Sequence, residues 1–452
     1  MKGIASGRGV RVEAGSESLI SSAGGSMLLK TAAASGLAAA LSQVLVSWRA
    51  PRSVHDPGKT VLDLAVAIAL GGDCLADAAA VRAQSELFGT VASDPTISRL
   101  IEALGADSAA AIAAIREARA AARATVWSHR WPIPTTGPVV VDLDATLVGA
   151  HSEKEGATPN FKRGFGFHPL LAFIDHGAGG TGEPLVVMLR PGKATANDAA
   201  DQIAVLDAAL TQLPEQVRSR VLVRGDTGSG VHGFVWHIHN RGLQYSVGIY
   251  ARQPVLDALA ALPAQAWRSA RDGHGYPREG AQVAELTRWL PATFPGWPPG
   301  MRIIARPERP HPGAQLRITD HEGWRITMFA TNTRGPRLAD LELRHRLRAR
   351  AEDRIRGLKD TGMTNLPLQA FAKNEIWLEL VQLAAELLTW TQLLAWPDQP
   401  ARTWEPQRLR LRLLALAARI ITTGRRRILR LSRRWPWTDL ITSGHQRLAA
   451  LT

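Results

Sequence analysis

Residues Pro138 to Thr146 read Pro-Val-Val-Val-Asp-Leu-Asp-Ala-Thr, a short β-branched run that starts after Gly137 and ends in acids. A run of that length, bounded by Gly and Pro, predicts a buried strand. Two more short apolar runs follow, Pro169 to Asp175 and Pro184 to Leu189, which predict neighbouring strands. Beyond them a helix is expected over Asn197 to Leu210, a fourth strand at Val221 to Asp226, a helix over His232 to Arg241 and a fifth strand at Tyr245 to Tyr250. Three strands followed by alternating helices and strands predict a mixed α/β sheet.

The 452 residues exceed what a single core normally serves, so this sheet must have additions on either side. The first 26 residues are rich in Gly and Ser and are expected to be poorly ordered. Ala-rich helical patterns follow, predicting an all-helical N-terminal domain over residues 27–130. Within it Ser93-Asp-Pro-Thr96 offers a cap for a helix that turns Ser98 and Arg99 outward. Such a helix could enter a DNA major groove, and it reads equally well as an ordinary packing helix. The sheet domain is expected over residues 137–250 and 331–396, interrupted by a β-rich insertion at 251–330. Helices are expected from Arg337 to about Lys359 and from Leu368 to Leu394, and a helical tail over 397–452.

The formal net charge is +14 and is unevenly placed. From Arg402 onward there are twelve arginines and no lysine, against only Glu405 and Asp439, a net of +10 in that segment. Arginine used without lysine points to phosphate contact, so double-stranded DNA is the expected partner of this tail and of Arg425, Arg426 and Arg427 within it. Cys74 is the one cysteine, which excludes a disulfide framework within the chain and fits a cytoplasmic protein. Charges interrupt every long apolar stretch, Glu379 and Glu386 the richest of them, so no membrane segment is expected. The stretch from Met27 to Val46 is broken by Lys30 and reads as an amphipathic helix, not a signal peptide.

Two acids sit where strands end. Alternation along a strand points Asp142 and Asp144 the same way, so either could reach a metal. Asp226 lies in Arg224-Gly-Asp-Thr-Gly228, where the flanking glycines permit a turn that exposes the carboxylate. Each aspartate alone reads as well as a turn or capping residue. The third element is a stripe on the expected helix: His345, Arg348, Glu352 and Lys359 are three, four and seven residues apart and return to nearly one azimuth. By itself it could equally be a solvated charged face.

Together these residues resemble the transposases of bacterial insertion sequences that use an Asp-Asp-Glu triad. Those with a β-rich insertion share the signature Tyr-x2-Arg-x3-Glu-x6-Lys, and this chain reads His345-x2-Arg348-x3-Glu352-x6-Lys359. The departure is His for Tyr. Asp144 matches the Asp-x-Thr pattern that ends the family's first strand, which selects it over Asp142. His151-Ser-Glu-Lys-Glu-Gly-Ala157, Gly164-Phe-Gly-Phe-His168, Gly71-Gly-Asp73 and Ser93 to Arg99 are similar to the insertion-sequence subgroup numbered thirteen-eighty.

The resemblance implies a ribonuclease H-like catalytic fold and cut-and-paste transposition at the element's terminal inverted repeats. It implies two Mg²⁺ or Mn²⁺ ions on Asp144, Asp226 and Glu352, with Asp144 bridging both. It also implies phosphate contacts from Arg348 and Lys359, a substrate contact from His345, and at least a homodimer on DNA. Lys162 and Arg163 would add phosphate contacts, or be solvated loop residues. Trp289, Trp297 and Trp324 could stack on an unpaired base, though core packing suits any one of them better.

Overall fold

The computed structural model describes residues 18–177, 181–250, 253–290, 296–310, 320–321, 323–424 and 426–451. The start as far as residue 17, residues 311–319 of the expected β-rich insertion and Arg425 lie outside the described residues.

A two-residue strand, β1 (Leu19–Ile20), leads into the helices α1 (Gly25–Ala34), α2 (Leu37–Val44) and α3 (Pro57–Ala69). Residues 18–26 are thus structured, against expectation, because β1 pairs with a strand from the far end of the chain. Gly36, at φ 71°, supplies the left-handed residue that turns α1 into α2, a bend of 70°. No single described helix is long and apolar enough to cross a membrane, although the α1–α2 pair taken together passes on length and composition. Asp56 caps α3 by accepting the Lys59 N–H, and Pro57 occupies its first turn. The short α4 (Ala78–Arg82) and α5 (Ser85–Phe88) precede α6 (Asp94–Ala106) and α7 (Ser108–His129). In α6 the stripe Ile97, Ile101 and Leu104 is buried and Arg99 faces outward, as the sequence predicts.

The sheet begins with β2 (Val139–Ala145). Three short strands, β3 (Val148–Gly149), β4 (Thr158–Pro159) and β5 (Phe165–Phe167), form a small separate sheet. The chain then runs through β6 (Leu170–Asp175), β7 (Gly182–Met188), α8 (Ala199–Thr211), the single turn α9 (Glu215–Arg218), β8 (Val221–Gly225), α10 (His232–Asn240) and β9 (Gln244–Ile249). β2, β6 and β7 are antiparallel neighbours, whereas β8 lies parallel to β2 and β9 parallel to β8, in the order β9-β8-β2-β6-β7. Parallel neighbours need crossovers, and α8 and α10 provide them.

After α11 (Gln253–Ala260) come β10 (Arg268–Arg271), β11 (Pro277–Glu285), β12 (Arg302–Glu308), β13 (Asp320–His321) and β14 (Trp324–Thr331). These strands continue the same sheet, because β14 pairs antiparallel with β9, from Thr331 opposite Ser246 to Met328 opposite Ile249. The chain closes with α12 (Leu338–Arg346), α13 (Arg350–Leu358), α14 (Phe371–Ala395), α15 (Pro406–Leu409), β15 (Ala418–Thr423), β16 (Arg426–Leu431) and α16 (Thr438–Ala449). The tail is therefore not the continuous helical segment expected from its sequence. Ile420-Ile-Thr-Thr423 and Ile428-Leu429 flank Gly424 (φ 58°), and β-branched runs around a left-handed glycine make a hairpin.

α14 is buried along most of its 25 residues and packs against α1, α3, α6, α7, α16 and β7. The α7 face towards it carries two arginines with no solvent exposure. Arg119 donates to Glu386 (2.9 Å) and Glu379 (2.7 Å) of α14. Arg123 donates to Glu183 of β7 (2.8 Å) and also to Glu386. Glu183 further accepts from the Trp127 and Trp390 indoles at 2.8 and 3.0 Å and bonds His176 at 3.0 Å. Those partners hold the Glu183 carboxyl well below the usual range against the opposing cost of burial.

Candidate active site

Strand alternation does aim Asp142 and Asp144 together, but the two carboxylates differ in what they touch. Asp142 is consumed by arginines: Arg224 forks onto it at 2.5 and 2.8 Å, and Arg354 reaches it at 3.1 Å. Asp175, at the end of β6, shares both guanidinium groups at 2.9 Å each. Asp144, one pleat further on, accepts only the Ala145 N–H, at 2.8 Å. Its pKa is pushed up to about 7, first by burial and then by the negative charge of Asp226, with Glu352 adding and Arg348 opposing. The two aspartates, the glutamate and the arginine come from β2, the end of β8, α13 and the turn before it, and the last three lie near enough to Asp144 for their charges to act on it.

Asp226 begins a single 3₁₀ turn, Thr227–Ser229, and its Oδ1 accepts the Gly228 N–H at 2.9 Å. Neither flanking glycine has a positive φ. Gly225 is needed for space, since a Cβ there would lie 2.3 Å from the Ser229 hydroxyl.

The placement of Glu352 comes from helix geometry. Ala351, Ile355 and Leu358 form the buried stripe of α13. At about 100° per residue, Glu352 and Lys359 fall on one flank of that stripe and Arg350 and Arg354 on the other. The second flank is pinned to the sheet: Arg354 bonds Asp142 and Asp175, and Arg350 lies 3.4 Å from Asp175. The first flank is left open, with Glu352 exposed and no described carboxylate within ion-pair distance of Arg348.

His345 does not sit where its helical offset predicts. It is 6% exposed, its Nδ1 is 3.0 Å from the Ser246 hydroxyl, and its ring stacks on Phe329 with centroids 4.4 Å apart. Burial and the neighbouring Arg348 keep it uncharged, well below the usual imidazole pKa. The stacking and the Ser246 bond bury most of the ring, so a substrate contact from His345 would fall to its Nε2 edge. The 3₁₀ turn Leu347–Ala349 is the cause: at three residues per turn it rotates α12 by about 60° relative to α13, compared with an unbroken α-helix.

The remaining candidates are dispersed. Lys162 and Arg163 are exposed at the tip of the β4–β5 turn, closed by the Asn160 side chain, and Arg163 takes φ 61°. Lys162 faces Lys359, whose pKa is lowered first by burial and then by that like charge. Arg99 is exposed but folds back onto its own first turn, at 3.1 Å from the Pro95 carbonyl. Arg426 is exposed, and Arg427 spends its guanidinium on the Glu86 carbonyl at 2.7 Å. Trp289 is 45% exposed, Trp297 packs edge-on to His232, and Trp324 lies under Arg309.

One neighbour of the site has no role assigned from sequence. His168 is buried, its Nδ1 lies 2.7 Å from the Ala194 carbonyl, and it is close enough to Asp226 to feel its charge. A carbonyl can only accept, so Nδ1 carries the proton. Its sequence signals are its place at the end of the Gly164-Phe-Gly-Phe-His168 motif and directly before the proline that precedes β6. Among the described residues, the single group of His, Cys, Asp or Glu ligand atoms all within 4.8 Å of one another is Asp73, Cys74 and Asp77, where Asp77 serves as a helix-start cap. The carboxylates of Asp144, Asp226 and Glu352 therefore interact across a wider gap than that.

A carboxyl with a folded pKa above its unfolded one favours the folded state when protonated. That contribution is complete below about pH 4 and is lost as pH rises through about 7. Asp144→Asn carries no charge, so in chelator its melting midpoint at pH 8 is expected to exceed the parent's by about 2–4 °C, with little difference at pH 4. Equal midpoints at pH 8 would mean that Asp144 is not held among like charges.

The family model for the transposase DDE domain, group 1, matches residues 2–452. Comparison with curated proteins finds no match. Among solved structures, a cryo-EM structure of the piggyBac transposase synaptic complex with hairpin DNA is similar at 9% identity, covering 86% of this chain and 80% of that one, with a TM-score of 0.45.

Proposed function

The chain belongs to the transposase DDE domain family, group 1, and from that membership we propose that it cuts and rejoins DNA at the terminal inverted repeats of a bacterial insertion sequence, of the subgroup numbered thirteen-eighty. The observation that carries this reading is the convergence of Asp226, Glu352 and Arg348 on Asp144. The strand order β9-β8-β2-β6-β7, with three antiparallel strands followed by two parallel ones, supports a ribonuclease H-like catalytic domain. In that reading the sheet domain spans 137–250 and 331–396, the β-rich insertion 251–330, and DNA is gripped by the N-terminal helices of 27–130 and the tail of 397–452.

The donor set fits divalent metal. Three carboxylates offer hard oxygen ligands, and a carboxyl pushed up to about 7 first by burial and then by like charges is ionised at neutral pH once a bound cation offsets both. Asp144, Asp226 and Glu352 would hold two Mg²⁺ or Mn²⁺ ions, whose chemistry is activation of a water or 3′-hydroxyl and stabilisation of the leaving oxygen. The protein's own groups position the DNA. Arg348, without a carboxylate partner among the described residues, can fork onto a phosphate, and Lys359 adds a point charge, raised in density by Lys162. The Asp142–Asp175–Arg224–Arg354 lattice holds α13, and so the Glu352 backbone, at a fixed height over the sheet. Cutting both ends together calls for two copies on the DNA.

The test is nicking of DNA that carries the inverted repeats bordering the coding region. Cleavage at those ends is expected with Mg²⁺ or Mn²⁺ and none in chelator. DNA bound but left intact at every Mg²⁺ and Mn²⁺ concentration would refute the catalytic reading.

A further inference from the structure

The β15–β16 hairpin has two unlike faces. Register places Ala418 opposite Leu431 and Ile420 opposite Leu429, and these pack inward against Ile20, Ala23 and Leu87. The other face carries Arg419 opposite Arg430, then Ile421 opposite Ile428, then Thr423 opposite Arg426. Arg419, Arg426, Arg430 and Ile428 are exposed, Ile428 to 41%. None of the three arginine side chains makes a hydrogen bond or ion pair with a described residue. Like charges directly opposite across a ladder destabilise it, so the Arg419–Arg430 pair is a local cost without an internal partner to offset it. An anion outside the chain would offset it.

We propose that this hairpin, flanked by β1 at its base as far as Ile420 and two-stranded beyond it, docks into the major groove of B-form DNA, a role that rests on the chain acting on DNA. The groove is about 12 Å wide and admits such a ribbon. From the Arg419–Arg430 pair to the Thr423–Arg426 pair is four residues, about 13 Å along the strands. Laid along the groove, the ribbon turns Arg419 of one strand and Arg430 of the other towards opposite backbones, with Arg426 about 13 Å further along. The Ile421–Ile428 pair lies between them, facing the groove floor, where the apolar feature available is the thymine methyl. The narrow, deep major groove of A-form RNA excludes the same ribbon.

Binding is measured by fluorescence anisotropy in chelator, so that no cleavage enters, with duplex DNA of the element's end and with duplex RNA of the same sequence. The full chain with Arg419→Ala and Arg430→Ala is expected to bind DNA about 10–100-fold more weakly, and the slope of log affinity against log salt to fall by about 2. Arg218→Ala removes one positive charge, from an arginine that caps the Leu213 carbonyl, and should leave both quantities unchanged. Arg419→Gln with Arg430→Gln keeps the polar stems and serves if the alanine variant melts early. An unchanged affinity and slope in a folded variant overturns the ribbon, as does equal binding of duplex RNA. Because the readout needs no metal, its failure leaves the cleavage assignment standing, and loss of cleavage leaves the ribbon standing.

Discussion

Asp226→Ala is expected to leave DNA binding in chelator within about 3-fold of the parent and to lower the rate of strand cleavage by at least roughly 10²–10³, the cost of removing one pre-organised electrostatic partner from a reacting centre. The asymmetry has a structural source. Asp226 holds only the N–H of Gly228, two residues ahead, in a turn supported independently by the packing of Gly225 against Ser229. Its removal should therefore leave the fold intact. It also removes the second-largest influence that raises Asp144, so that carboxyl should titrate closer to the ordinary range in the variant. Single-turnover cleavage of a labelled inverted-repeat duplex, beside anisotropy on the same duplex, separates the two effects. Parent-like cleavage by the alanine variant would remove Asp226 from the active site.

Glu386→Ala is expected to have the largest effect on stability. Among the described residues, Glu386 is the one carboxylate bonded to both Arg119 and Arg123, and all three side chains have no solvent exposure. Deleting one member of a buried pair leaves an uncompensated charge and costs about 3–5 kcal/mol. Here two guanidinium groups lose a partner, with Glu379 and Glu183 left to serve them. A fall in the urea midpoint of matching size is the expected reading; a loss under about 1 kcal/mol would show that the arginines find other partners. Catalytic residues are not in this lattice, so any Glu386→Ala protein that remains folded should still cut DNA.

The sheet was legible because its strands are written in the plainest form. Val139-Val-Val141, Leu170 to Asp175 and Val221-Leu-Val223 are β-branched or apolar runs with turn residues on both sides, and the observed strands fall within a residue or two of those runs. The three acids proposed for the site stand out in the sequence because each ends a strand or sits at a fixed helical offset. The tail hairpin was not: with arginine at so many positions, the alternation of Ala418, Ile420, Leu429 and Leu431 on one face reads as a basic helix, and its pairing with Leu19 and Ile20 lies some four hundred residues away in sequence. His345 misled for a different reason, since offsets along a helix assume uniform winding and a 3₁₀ turn breaks it. The arginines of α7 gave no hint of burial, because only the fold brings Glu183, Glu379 and Glu386 to meet them.

The stretch between the second and third acids leaves the sheet along β9 and comes back along β14, its immediate hydrogen-bonded neighbour. Departure and return are thus stitched together before the chain reaches α12. A foreign domain spliced into an exposed turn beyond β10, such as Gly273–Gly275, would ride on the outside of the molecule. It would hang from a hem that is already sewn, and the distance from Asp226 to Glu352 would stay as it is.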